Sequence, residues 1–170
     1  MARHGRGDDT IAESLRYRPA TNADCASVER LVVETLREYG LAPEPDGVDS
    51  DLRDLQAHYL DTGGWFGVWV DETGAIVGSA GLCPLSDTAC ELRKMYLRES
   101  ARGRGHGKAI LNVALAEARR RGFARVELET ATVLKEAIRL YEKFGFRREP
   151  IGARCAKRCD IRMVLDMQTD

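Results

Sequence analysis

Apolar residues recur along this chain at two spacings, and the change from one to the other divides it into helices and strands. Cys25, Val28, Leu31, Val32, Thr35 and Leu36 fall on one stripe at helical spacing. This predicts a helix that runs to about Tyr39 and stops at Gly40. Thr21-Asn22-Ala23-Asp24 ahead of it has the form of a capping box, with the Asp24 carboxylate able to reach back to a free amide. A short strand over Leu15–Arg18, ended by Pro19, is expected before the cap. Pro43, Pro45 and Gly47 make the next stretch a loop. Leu52, Leu55 and Tyr59 then share a face, which predicts a second helix from Asp51 to about Leu60.

After Gly63-Gly64 the pattern becomes strand-like. Trp65–Val70 and Ala75–Leu85 flank a turn at Asp71-Glu72-Thr73-Gly74, and Cys90–Leu97 follows a second turn at Ser86-Asp87, so three antiparallel strands are expected. A helix from about Gly105 to Arg121 comes next, with Ile110, Leu111, Ala114, Leu115 and Ala118 facing the core and Gly122 closing it. Arg125–Thr130 reads as a strand and Lys135–Phe144 as a helix. Phe146–Glu149 and Ile161–Leu165 read as two final strands.

Hairpins first and strand-helix alternation later imply an α/β fold of the α+β mixed-sheet kind. Its N-terminal strands should be mostly antiparallel, around a parallel strand-helix-strand centre with helices on both faces. Cys90–Leu97 and Arg125–Thr130 should be parallel neighbours joined by the crossover helix. A ligand in such a sheet sits beyond the carboxyl ends of the strands, where the helix begins.

With 170 residues the chain can bury one ordinary core. Residues 1–13, with Arg3, Arg6, Asp8 and Asp9 among glycines, are expected to be a flexible tail, and 14–170 a single domain. The net charge of -1 gives no global reason to bind nucleic acid or an acidic membrane. Neither a signal peptide nor a membrane-spanning run is recognisable, so a cytoplasmic address is expected. Cys25, Cys83, Cys90, Cys155 and Cys159 are odd in number and scattered, as reduced thiols would be. No matching metal pair accompanies Cys155 and Cys159, so no metal is expected.

Local charge changes the picture at Arg102-Gly103-Arg104-Gly105-His106-Gly107-Lys108. This turn lies between a strand and a helix, and Arg98, Arg102, Arg104 and Lys108 are opposed only by Glu99. Glycines let the backbone approach an anion closely, and free amides at a helix start point at phosphate with the helix dipole behind them. A P-loop is excluded, because Arg102 stands where its first glycine belongs and Ala109 follows the lysine. A dinucleotide fingerprint starting at Gly103 or Gly105 is excluded by Lys108 and Ile110.

The spacing Arg102-x-x-Gly105-x-Gly107 does fit a third motif. Here the chain resembles the GNAT superfamily of acetyl-CoA-dependent N-acetyltransferases, whose signature is Gln or Arg, two residues, Gly, one residue, then Gly or Ala. The likeness extends from Arg18-Pro19-Ala20-Thr21 through Glu91-Leu92-Arg93-Lys94-Met95-Tyr96-Leu97 to Ala137-x-x-Leu140-Tyr141-Glu142-Lys143-Phe144-Gly145-Phe146. The resemblance implies a GNAT-like fold in which a bulge splays the strand before the glycine turn, and pantetheine lies in the opening. Met95, Tyr96 and Leu97 would then border the pantetheine, with Met95 and Leu97 pairing to its amides. Arg102, Gly103, Arg104, Gly105, His106, Gly107 and Lys108 would form the pyrophosphate turn. His106 would contribute only its amide.

The same likeness implies acetyl transfer to an amine by direct attack in a ternary complex. An ammonium acceptor must lose a proton, usually to a carboxylate. Glu91 is the first candidate, because it precedes Met95 by the offset of the catalytic glutamate in the histone acetyltransferases this strand resembles, and Glu129 is the second. A salt bridge from Glu91 to Arg93 or Lys94 is the plainer alternative. Tyr141 matches the family's general acid, although it also falls on the apolar side of its helix with Ile138 and Phe144. Leu134 departs from the asparagine that many relatives carry there. A non-catalytic acyl-CoA-binding module would keep the glycines without needing Glu91 or Tyr141. An RNA-binding protein is disfavoured by the near-neutral charge and the lack of aromatic residues beside the turn.

The acceptor has no recognisable motif. A small amine, an amino acid, an antibiotic and a peptide amine all remain open, and a homodimer is compatible with the reading. Asp46, Asp49, Asp51 and Asp54 would make the acceptor side acidic unless they only cap and solubilise a helix start.

Overall fold

A computed structural model of the chain describes residues 14–152 and 156–168. The tail expected over 1–13 and Cys155 lie outside the described residues. The sheet has seven strands: β1 (Arg16–Pro19), β2 (Trp65–Val70), β3 (Ile76–Pro84), β4 (Ala89–Leu97), β5 (Arg125–Thr130), β6 (Arg147–Glu149) and β7 (Ile161–Asp166). Their order across the sheet is β1-β2-β3-β4-β5-β7-β6. All neighbours are antiparallel except β4 and β5, which are parallel as a strand-helix-strand crossover requires.

Three α-helices cover the sheet: α1 (Cys25–Glu38), α2 (His106–Arg120) and α3 (Lys135–Lys143). The two helical stripes read from the sequence are the buried ones. Val28, Leu31, Val32, Thr35 and Leu36 of α1 pack on one face of the sheet, and Ile110, Leu111, Ala114, Leu115 and Ala118 of α2 on the other. The α1 core includes Phe66, Val68, Leu52, Leu55 and Tyr59, whereas the α2 core includes Leu92, Val126, Leu128, Met163 and α3. Asp24 accepts the Thr21 amide at 2.9 Å, as expected of the cap, and also pairs with Arg18 at 2.8 Å. Gly40, at φ +70, lets the chain leave α1.

The second helix expected over 51–60 does not form as one element. A 3-10 turn at Ser50–Arg53 and a π turn at Gln56–Leu60 replace it, separated by Asp54 at φ -149. The apolar face is retained, since Leu52, Leu55 and Tyr59 are fully buried. Polar demands break the helix: Asp54 accepts the Ala57 amide at 3.0 Å, and the Asp51 carboxylate turns inward to the Tyr59 hydroxyl.

Two irregularities in the middle of the sheet create the site. The parallel pairing joins Ala89 to Arg125, Cys90 to Val126 and Glu91 to Glu127, after which β4 and β5 run on without pairing to each other. On its other edge β4 carries a bulge. Ser79 opposes Tyr96 and Gly81 opposes Arg93, leaving Lys94 and Met95 against the single residue Ala80. The extra residue bends β4 away from β5 and shifts its phase. Cys90 and Leu92 point to the α2 core before the bulge, and Met95 and Leu97 pack against that core after it.

Candidate functional site

The opening between β4 and β5 leads into a cavity of about 950 Å³ that crosses the sheet. On the α2 side it is bounded by Leu97, Gly103, Gly107, Ile110, Leu140 and Tyr141. On the α1 side Leu41, Val48, Glu91, Arg93, Glu129 and Arg158 border it. One continuous space thus meets both the glycine turn and the carboxylates singled out from the sequence.

The turn at the start of α2 has the geometry an anion needs. Gly103 and Gly105 lie at φ +76 and +81, a region that side chains disfavour, and Gly105 is the residue from which α2 starts. Among the described residues, the amides of Gly103, Gly105, His106, Gly107 and Lys108 donate to no backbone carbonyl. A β-carbon added at Gly107 would touch only the Leu140 Cδ2 atom, at 3.4 Å, so the turn is open toward the cavity. These amides lie at the positive end of a helix, a place suited to phosphate, and Gly103 and Gly107 border the cavity.

Arg102 lies at the same turn and borders the cavity, while its guanidinium is tied to the ends of β4 and α1. Its Nε donates to the Leu97 carbonyl at 2.8 Å, its Nη1 pairs with Glu38 at 2.9 Å, and its guanidinium lies 5.2 Å from the Tyr39 ring centre. Its amide donates to the Glu99 carbonyl at 3.1 Å. The side chain therefore ties the end of β4 to the end of α1 and fixes where the turn begins.

Glu91 and Glu129 both border the cavity. Glu91 accepts from Arg93 at 3.0 Å, the ion pair anticipated as its plainer alternative, and its side chain remains 21% exposed. Glu129 accepts the Ala156 amide at 3.0 Å. Glu127, opposite Glu91 across the parallel pair, is held by Arg125 at 3.0 Å and Arg162 at 2.8 Å. Tyr141 reaches the cavity from α3, with its ring 5.6 Å from that of Phe146. Burial, reinforced by Tyr96 and Cys159 nearby, raises its hydroxyl above the ordinary tyrosine range. Tyr96 is likewise pushed up by burial to about 12, with Arg158 opposing the shift.

A buried ionic cluster beside the cavity was not foreseen. Arg158 chelates Asp49 at 2.7 and 2.9 Å, and Lys94 also bonds Asp49 through its ammonium. Lys94 further pairs with Asp51 at 3.3 Å. Burial of Asp49 opposes its ionisation, but the Arg158 guanidinium, the Glu44 amide and the Lys94 ammonium outweigh it and hold the carboxyl at about 2. Of the two readings of these aspartates, an acidic acceptor side is the one that the structure does not support. Asp49 and Asp51 are buried and neutralised by cations, Asp46 pairs with Arg53 at 3.2 Å, and Asp54 caps a turn. Their partners lie far away in the chain, 45 residues for Lys94 and 109 for Arg158, so no local signal marks the cluster.

Among the described residues no helix is long and apolar enough to cross a membrane, and no group of three or more His, Cys, Asp or Glu side chains is placed to hold a metal ion.

Comparison with known proteins agrees with this fold. Residues 26–146 match the acetyltransferase (GNAT) family. The chain is 34% identical over 162 residues to the uncharacterised N-acetyltransferase YjgM of Escherichia coli (strain K12), covering 91% of this chain and 96% of that protein. Its fold resembles the crystal structure of a GNAT-family acetyltransferase from Staphylococcus aureus Mu50, with a TM-score of 0.84 at 19% identity over 91% of this chain and all of that one. It also resembles a GNAT-superfamily phosphinothricin acetyltransferase from Sinorhizobium meliloti solved in complex with acetyl-CoA, with a TM-score of 0.70 at 23% identity over 90% and 88% of the two chains.

Proposed function

This chain belongs to the acetyltransferase (GNAT) family and is an N-acetyltransferase, and from that premise we propose that it moves the acetyl group of acetyl-CoA directly to an amine within a ternary complex. The observation that carries the reading is that, among the described residues, the amides of Gly103, Gly105, His106, Gly107 and Lys108 at the start of α2 donate to no backbone carbonyl, beside the opening between β4 and β5. In this reading they hold the pyrophosphate, and pantetheine lies along Met95, Tyr96 and Leu97. Arg102 fixes the turn by its bonds to Leu97 and Glu38. One domain, residues 14–170, supplies the whole site.

The acceptor enters from the α1 side, where Glu91 and Glu129 border the same cavity. Its neutral nitrogen attacks the thioester carbonyl carbon, and the C–S bond then breaks. Glu91 takes the proton from the amine, directly or through water. Arg93 keeps that carboxylate oriented. Glu129 is the alternative base. Tyr141 serves the leaving thiolate as a hydrogen-bond donor and proton relay. Because a thiol has a pKa of about 8.5, complete transfer from a buried tyrosine is uphill, so its main effect is to stabilise negative charge as it develops on sulfur.

A panel of amines offered to the purified protein with acetyl-CoA tests the reading. Release of free thiol that depends on one class of amine, together with the acetylated amine, is the expected result. Coenzyme A binding without turnover of any amine would leave a non-catalytic binding module in its place.

A further inference from the structure

Lys94 is the only non-glycine residue with a left-handed backbone among the described residues, at φ +54. It is also the extra residue of the β4 bulge, and its side chain is only 3% exposed. A side chain in this backbone region carries a conformational cost that glycine would avoid. Two sets of bonds offset it. The Ser79 hydroxyl donates to the Lys94 carbonyl at 2.7 Å and secures the bulge. The ammonium donates to the Val48 carbonyl at 3.0 Å and pairs with Asp49 and Asp51.

We propose that Lys94 is a positioning residue with two separable roles: its backbone keeps the opening between β4 and β5 in shape for the cofactor, and its ammonium holds the loop over residues 42–49 in place as a wall of the acceptor side. The proposal rests on the function given above. The loop has almost no apolar anchor of its own. Asp49 is its one buried residue, whereas Val48, which borders the cavity, is 40% exposed. What fixes it is polar: Asp49 accepts from Lys94, Arg158 and the Glu44 amide, the last at 2.8 Å. Arg158 extends the same cluster toward Tyr96. The bulge and the acceptor wall thus meet at one ammonium group.

Because glycine retains the bulge backbone without supplying an ammonium, Lys94→Gly and Lys94→Met should differ. Coenzyme A titration by calorimetry reads the first role, and hydrogen exchange at the Glu44 and Asp49 amides reads the second. Lys94→Gly should bind coenzyme A within about twofold of the parent chain, while those two amides exchange at least about tenfold faster and β5 stays protected. Lys94→Met has neither the ion pairs nor a backbone suited to φ +54, and should lose about tenfold in coenzyme A affinity as well.

Ser79→Ala gives the converse pattern and does not depend on Lys94→Gly folding. It should weaken coenzyme A binding and leave the Glu44 and Asp49 amides protected. Equal loss of affinity in the Gly and Met variants, unchanged loop exchange in both, or a Ser79→Ala chain whose loop opens would each overturn the proposal. A parent chain that bound no coenzyme A would reject the proposed function instead, and loop exchange in Lys94→Gly would still decide the role of the ammonium.

Discussion

At the scale of single residues, the environment of a side chain decides what its chemistry can be. Tyr141 was legible as a candidate from the Leu140-Tyr141-Glu142-Lys143-Phe144-Gly145-Phe146 stretch, but the burial that raises its hydroxyl further above neutral pH is supplied only by the fold. Tyr141→Phe should lower kcat by about one hundredfold, the low end of what one preorganised hydrogen-bond donor to developing charge contributes, and leave coenzyme A affinity unchanged. Steady-state rates with the amine found in the screen, set beside calorimetry, check this, and an unaltered kcat would remove the hydroxyl from the reaction.

Asp49 shows the opposite case, a residue whose sequence context suggested exposed acidity and whose partners make it structural. Its folded pKa lies below its unfolded value, so the stability it contributes is complete above the ordinary aspartate value of about 4 and is lost as pH falls from there through about 2. Asp49→Asn should therefore be less stable than the parent at pH 7, with the gap closing between pH values of about 4 and 2. Denaturant melts across that range measure it. A gap that stays constant with pH would mean that the carboxylate charge contributes nothing.

Among the elements, periodic apolar stripes were readable wherever a helix or strand has one face on a core. The stripes of α1 and α2 were placed correctly because burial selects those spacings. The helix expected over 51–60 kept its apolar face and lost its backbone form, because Asp51 and Asp54 direct their carboxylates into bonds that a regular helix would not allow. The β4 bulge was implied only by the family likeness. Glycine would mark a left-handed position, and here a lysine occupies it, held by Ser79 and Asp49 from elsewhere in the chain.

The start of α2 yields a prediction of its own. A carboxylate near a helix N-terminus favours the helix, so Gly107→Glu should fold normally. The same carboxylate would take the place of phosphate on the amides, and the nearest atom to a new β-carbon is the yielding tip of Leu140. Loss of coenzyme A binding with an unchanged thermal midpoint is the expected calorimetric result. Retained affinity would place the diphosphate elsewhere.

For the whole molecule, the proposed function rests on a parallel pair that stops early. Pairing between β4 and β5 ends at Glu91 and Glu127, and the space beyond it joins the glycine turn to the carboxylates on the α1 side. Neither the net charge of the chain nor any single motif implies that continuity. It follows from one bulge and from a parallel pair that ends beside the start of α2. The most direct measurement is a coenzyme A titration of isotopically labelled protein, followed through the backbone amide resonances. The amides of Gly103, Gly105, His106, Gly107 and Lys108 should shift most at saturation, and more with coenzyme A than with dephosphorylated pantetheine. Saturable binding that left all five unmoved would contradict the account.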